Sequence, residues 1–136
     1  MKRSAIAHWE GSGKEGKGTL TTASKALNQT PYSSSARFEN SAGTNPEELI
    51  GAAHAGCFTM KLSYNLSGAG FVPDALDTEA VVTLENGTIS HILLKTQARV
   101  PGISEEKFQE LARDAKANCP VSKLFQTEIE LQATLL

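Results

Sequence analysis

The residues of this chain that could do chemistry together are few. They are two cysteines, Cys57 and Cys119, a histidine, His54, an arginine, Arg37, and the carboxylates Glu47 and Glu48. Cys57 lies in GAAHAGCFTM, residues 51–60, a stretch without a single charge. Residue types alone leave four readings of it open. A lone thiol in an apolar helix acts as a small buried hydrophobe, the common fate of free cysteine. His54 and Cys57, three apart and so on one helix face, could join Cys119 as metal ligands, with His8 or His91 as the fourth. No close Cys/His pair of the zinc-ribbon kind supports that site. The same two residues could serve as base and nucleophile of a hydrolase, yet no third orienting group stands out. In the redox reading a thiolate attacks a peroxide oxygen, becomes a sulfenic acid and condenses with the second thiol. The first thiol then needs a cation to lower its pKa. Arg37 keeps its charge at any relevant pH, and Glu47 or Glu48 could hold it in place.

These side chains depend on elements that the pattern predicts. Asn45 suits a helix N-cap, Pro46 the first helical position, and Glu47 and Glu48 the positive end of the helix dipole. Asn45 and Glu48 also have capping-box spacing. The helix should run to about Leu66 and stop at Ser67-Gly68-Ala69-Gly70. Its first half is apolar almost all round, so burial on several sides is expected. Short strands are expected over residues 3–9, 19–27 and around 34–39. Between the first two, GSGKEGKG holds a literal G-x-G-x-x-G, Gly11 to Gly16, but a strand-like run follows where phosphate binding needs a helix. A charged hairpin loop is the better reading.

Alternation over Thr78–Glu85 and Ile89–Val100 around Asn86-Gly87 predicts a tight hairpin. Ser104 caps a second helix striped by Phe108, Leu111, Ala112, Ala115 and Cys119, and Pro120 ends it. Ile129, Leu131, Ala133 and Leu135 mark a last strand with one wet face. The order implies an α+β fold, with a mostly antiparallel sheet and a long buried central helix, in a single domain over 1–136.

The bulk composition narrows the function. The chain has 136 residues, 40% hydrophobic and 21% charged, with 13 basic against 15 acidic side chains. Those proportions fit a globular domain. No Lys/Arg stripe suggests nucleic acid, and no apolar run approaches a membrane span. MKRSAIAHWEGSG does not read as a signal peptide, so an intracellular, cytoplasmic protein is expected. In such a compartment a permanent structural disulfide is disfavoured.

AHWEG, GKGT, LNQTPY, ARFE, GTNPEELIGAAHAGCF and NCPVS, in that order through nearly the whole chain, resemble the OsmC/Ohr family of thiol-dependent peroxidases. ARFE looks like the OsmC branch. The resemblance implies reduction of organic hydroperoxides, and of hydrogen peroxide less well, by an intertwined homodimer with sites at its interface. Under it Cys57 matches the peroxidatic cysteine, Cys119 the resolving cysteine, Arg37 the arginine that stabilises the thiolate, and Glu47 the carboxylate that orients the arginine. An external dithiol would regenerate the thiols, without cofactor or metal. Ten helical residues rise about 15 Å, so Glu47 cannot touch Cys57 of its own helix. Either Arg37 spans part of that distance or a second chain supplies the glutamate, its close approach permitted by Gly51, Ala52, Ala53, Ala55 and Gly56. Phe58, Met60, Phe38 and Leu124 would favour apolar peroxides, and His54 would be a packing residue. The competing class is a non-catalytic stress protein that binds a small ligand on the same fold.

Overall fold

The computed structural model describes residues 1–39 and 42–136. Positions 40 and 41 of the turn-rich stretch lie outside the described residues. The chain divides into two compact units, Met1–Leu49 and Ile50–Leu136.

In the first unit β1 (Ala5–Glu10), β2 (Lys17–Thr22) and β3 (Thr30–Tyr32) form an antiparallel sheet in that order. The glycine-rich loop joins β1 to β2, and no helix follows it. Gly18 is required by packing: a Cβ there would sit 2.3 Å from the His8 carbonyl oxygen and 2.6 Å from the Tyr32 ring. The strand expected around residues 34–39 is instead a short helix, α1 (Ser34–Phe38). Ser33 decides this, because its Oγ accepts the Ala36 amide at 3.1 Å and so caps the first turn. A hydroxyl cap outweighs the weak alternation of SSARFE.

Helix α2 (Pro46–Gly68) begins where Asn45 places it. Asn45 Oδ1 accepts the Glu48 amide at 2.8 Å, and its Nδ2 donates to the Ala36 carbonyl at 3.1 Å and to Glu48 Oε2 at 3.2 Å. One side chain therefore caps α2 and ties it to the end of α1.

In the second unit β4 (Ala75–Glu85) and β5 (Thr88–Arg99) form the predicted hairpin. Asn86 and Gly87 have φ of 51° and 75°, as a primed two-residue turn requires. Strand β6 (Glu128–Leu135) pairs with the other side of β5 and runs parallel to it. A parallel partner needs a crossover. Here it is α3 (Glu105–Asn118) followed by α4 (Pro120–Leu124), a short helix the pattern did not announce. The architecture is α+β with one antiparallel and one mixed sheet.

The core of this unit joins Phe58, Leu62 and Leu66 of α2 to Ile92, Leu94 and Ala98 of β5 and to Phe108, Ala112 and Ala115 of α3. Each fully buried Leu or Phe contributes about 1.5–3 kcal/mol by leaving water. The buried stripe of α2 is Gly51, His54, Phe58, Leu62 and Leu66. The expectation of burial on several sides is met on this face only, since Ala52, Ala53, Gly56, Met60 and Tyr64 are exposed in the single chain. Buried Thr96 and half-buried Thr78 and Thr59 bring three hydroxyls together, with Thr59–Thr78 oxygens 2.8 Å apart and Thr78–Thr96 oxygens 2.9 Å apart.

Candidate active site

The predicted site residues gather into two pairs, one in each unit. Arg37 and Glu47 form a two-pronged ion pair: Nε donates to Oε2 at 3.0 Å and Nη2 lies 2.9 Å from Oε1. The parallel geometry matches the guanidinium fork to the carboxylate. Ser33 and Asn45 set it, one by capping α1 and the other by fixing α1 to the first turn of α2. Glu47 keeps 14% of its side-chain surface and Arg37 keeps 36%, so the arginine still faces outward. Glu48 takes the capping role and is not part of the fork.

Cys57 and Cys119 form the second pair, with both sulfurs as free thiols. Cys57 is half-buried on α2, and Cys119 is fully buried between α3 and α4. Burial pushes the Cys57 thiol up, a hydrogen bond from the Val121 backbone amide pulls it down, and the neighbouring Cys119 thiol pushes it up again. The balance is upward, and none of these influences is a cation. A thiolate at Cys57 therefore has to draw its counter-charge from outside this set. Cys119 ends α3 and caps α4: its sulfur accepts the Ser122 amide at 3.3 Å. Pro120 makes that joint, since it cannot continue α3 and is suited to the first position of α4.

His54 has a partner that sequence reasoning missed. Its Nε2 is 2.7 Å from Ser122 Oγ, and the Cys119 thiol donates to the same oxygen at 3.1 Å. The ring packs edge-on to Phe125 with centroids 5.4 Å apart. Ser122 was detectable, because it stands three residues after Cys119 across a proline, which is cap spacing. With Nε2 on Ser122, the imidazole is not set as a direct base for Cys57, which weakens the hydrolase reading. The histidines proposed as a fourth metal ligand have other neighbours: His8 Nε2 is 3.7 Å from Glu10, and His91 Nε2 is 3.2 Å from Glu130. Among the described residues no three His, Cys, Asp or Glu side chains gather as a metal site. Phe58, expected near a substrate, is fully buried in the core, whereas Met60, Phe38 and Leu124 are exposed. No helix among the described residues is long and apolar enough to cross a membrane.

The chain resembles known proteins in sequence and in fold. The profile of the family described as OsmC-like protein matches residues 38–134. The peroxiredoxin OsmC of Escherichia coli (strain K12) is 51% identical over 133 residues, covering 95% of this chain and 93% of that protein. The organic hydroperoxide resistance protein OhrB of Bacillus subtilis superposes with a TM-score of 0.68 at 25% identity, over 98% of each chain. An OsmC-like protein from Mycoplasma pneumoniae shares the fold, with a TM-score of 0.79 at 15% identity over 100% of this chain and 98% of that one. With its paired thiols and forked arginine on this α+β scaffold, the chain belongs to the OsmC-like protein family.

Proposed function

We propose that this protein is a cysteine-based peroxidase that reduces organic hydroperoxides, and hydrogen peroxide less well. The observation that carries the reading is the contact between a half-buried Cys57 thiol and a fully buried Cys119 thiol that are not yet bonded. The names of the relatives, peroxiredoxin and organic hydroperoxide resistance protein, support the same chemistry.

In this mechanism Cys57 sulfur attacks the distal oxygen of the peroxide. The O–O bond breaks and an alcohol or water leaves, with Cys57 now a sulfenic acid. Cys119 attacks that sulfur, water departs and a Cys57–Cys119 disulfide remains. An external dithiol then restores both thiols by exchange. Arg37 supplies the cation that Cys57 otherwise lacks, and Glu47 fixes the direction of the guanidinium through the two-pronged pair.

The active form is a homodimer. Support comes from the outward face of α2, where Ala52, Ala53 and Gly56 are exposed and nothing lies within 4 Å of a Cβ added at Gly56. A second copy could approach that surface closely and share the site. A monomer with full activity at the dilution used for sedimentation would exclude sharing.

The deciding experiment is a thiol count before and after one equivalent of cumene hydroperoxide, with peptide mapping. The expected result is loss of both thiols and a linked Cys57–Cys119 peptide pair. An unchanged count would instead identify a non-catalytic binding protein.

A further inference from the structure

The buried stripe of α2 reads Gly51, His54, Phe58, Leu62 and Leu66, and the histidine is its one polar side chain. It is fully buried, and its Nδ1 has no hydrogen-bond partner among the described residues. A buried polar atom left unpaired costs about 1–3 kcal/mol. Packing alone would be better served by an apolar side chain, so the imidazole calls for another reason.

Its surroundings supply one. The Cys119 thiol donates to Ser122 Oγ at 3.1 Å. Ser122 has a single hydroxyl proton, and its oxygen is 2.7 Å from His54 Nε2. With the thiol proton pointing at the oxygen, the hydroxyl proton is free to point at the ring. In that arrangement Nε2 is the bare, accepting nitrogen and Nδ1 carries the ring proton. Burial lowers the His54 pKa and keeps the imidazole neutral, hence able to accept. Ser122 is hydrogen-bonded to the ring, with Cys119 beyond it, and Phe125 packs edge-on against it. Among the described residues no charged side chain is hydrogen-bonded to the imidazole.

We infer that Ser122 and His54 form a proton relay that activates Cys119 for disulfide formation, Ser122 acting on the reacting sulfur and His54 positioned behind it. The inference rests on Cys119 being the resolving thiol. When Cys57 is a sulfenic acid, Cys119 passes its proton to Ser122 as Ser122 passes its own to His54 Nε2. The electron pair left on Cys119 sulfur forms the S–S bond, and the S–O bond of Cys57 breaks. The departing hydroxide takes a proton returned from the imidazolium through Ser122 and leaves as water. Cys119 is oxidised, the Cys57 sulfur is reduced from the sulfenic level, and His54 ends neutral as it began.

The test follows reduced protein after one equivalent of cumene hydroperoxide, by rapid quench with a sulfenic-acid trap and mass spectrometry. Ser122→Ala removes one oxygen and keeps the backbone amide that bonds Cys119. It should slow the peroxide-independent step from sulfenic acid to disulfide by on the order of 100-fold or more. The remaining rate should climb with pH as bulk hydroxide replaces the relay. His54→Gln should reproduce both effects, and Ser122→Thr, which keeps the hydroxyl, should restore the rate. A wild-type disulfide rate in Ser122→Ala, or a slowing equal at every pH, overturns the relay. So does a slow Ser122→Ala beside a normal His54→Gln. If His54→Gln does not fold, the pH profile of Ser122→Ala decides. Absence of a Cys57–Cys119 disulfide in the unaltered protein would fail the resolving assignment itself, a different outcome from any of these.

Discussion

Cys119→Ala tests three consequences of one sulfur atom. The side chain is fully buried and makes two hydrogen bonds with Ser122, donating to its Oγ at 3.1 Å and accepting from its amide at 3.3 Å. Losing them removes about 1 kcal/mol, sulfur being a weak partner. The small void left in a packed core removes about 1 kcal/mol more. The sum of ~2 kcal/mol corresponds to roughly a 30-fold fall in the folding equilibrium constant, measurable by urea denaturation. The second consequence is electrostatic. Cys119 raises the Cys57 pKa both as a hydrogen-bond partner and by charge, while burial raises it and the Val121 amide lowers it. Without Cys119 only the last two remain, so Cys57 should titrate lower and react faster with iodoacetamide at fixed pH. The third is chemical: one peroxide equivalent should add one oxygen to Cys57 and stop there, with recycling by a dithiol impaired. Unchanged or slower alkylation would refute the account of the thiol pair. Normal recycling would refute the resolving role.

Other tests address the rest of the site. In a double-mutant cycle of Arg37→Ala with Glu47→Gln, the partly exposed fork should give a stability coupling of only about 0.5–1 kcal/mol by urea melts. Peroxide turnover should fall sharply in either single variant, and near-normal turnover in Arg37→Ala would remove the arginine from the mechanism. His54 carries a pH signature. Burial sets its folded pKa below the ordinary 6.5, so the stability it confers is complete above pH 6.5 and is lost as pH falls from there toward the folded value. His54→Gln should flatten that acid limb in urea melts taken between about pH 4 and 7. Thr96→Val should destabilise the second unit by about 1–2 kcal/mol, because it takes a hydroxyl partner from the Asp77 carbonyl and leaves Thr78 with Thr59 alone, and amide exchange across β4 and β5 should report it.

Much of this arrangement was legible in the sequence where the signal was local. Asn45 with Pro46, Asn86-Gly87 and Ser104 each mark an element boundary by backbone chemistry within four residues, and each boundary is where it was expected. Helix α1 was misread as a strand because a serine cap has no hydrophobic periodicity to announce it. The parallel run of β6 was not stated, since alternation fixes which face is wet and not which way a neighbour points. At the site the pairing of Arg37 with Glu47 was named in advance and is observed as a fork. His54 reads as a packing residue and is one, fully buried against Phe125, but its partner Ser122 lies 68 positions away and no spacing rule reaches across a crossover.

That crossover also bears on how the protein is made. Register pairs His91 with Glu128, so β6 docks only after 37 residues of chain have folded back. Closing such a span is a non-local event, slow compared with forming the β4–β5 hairpin. The joint that holds Cys119 lies inside it, and so does the serine that bonds it. The two sulfurs, 62 positions apart, are therefore expected to meet after the hairpin has formed. Under the proposed mechanism, a nascent or damaged chain would carry the same two cysteines without their proximity and would form the link poorly. If the proposed Cys57–Cys119 link forms, its yield would serve as a clock for completed folding, and its rate of appearance during refolding should track burial of the α3 core rather than formation of the hairpin.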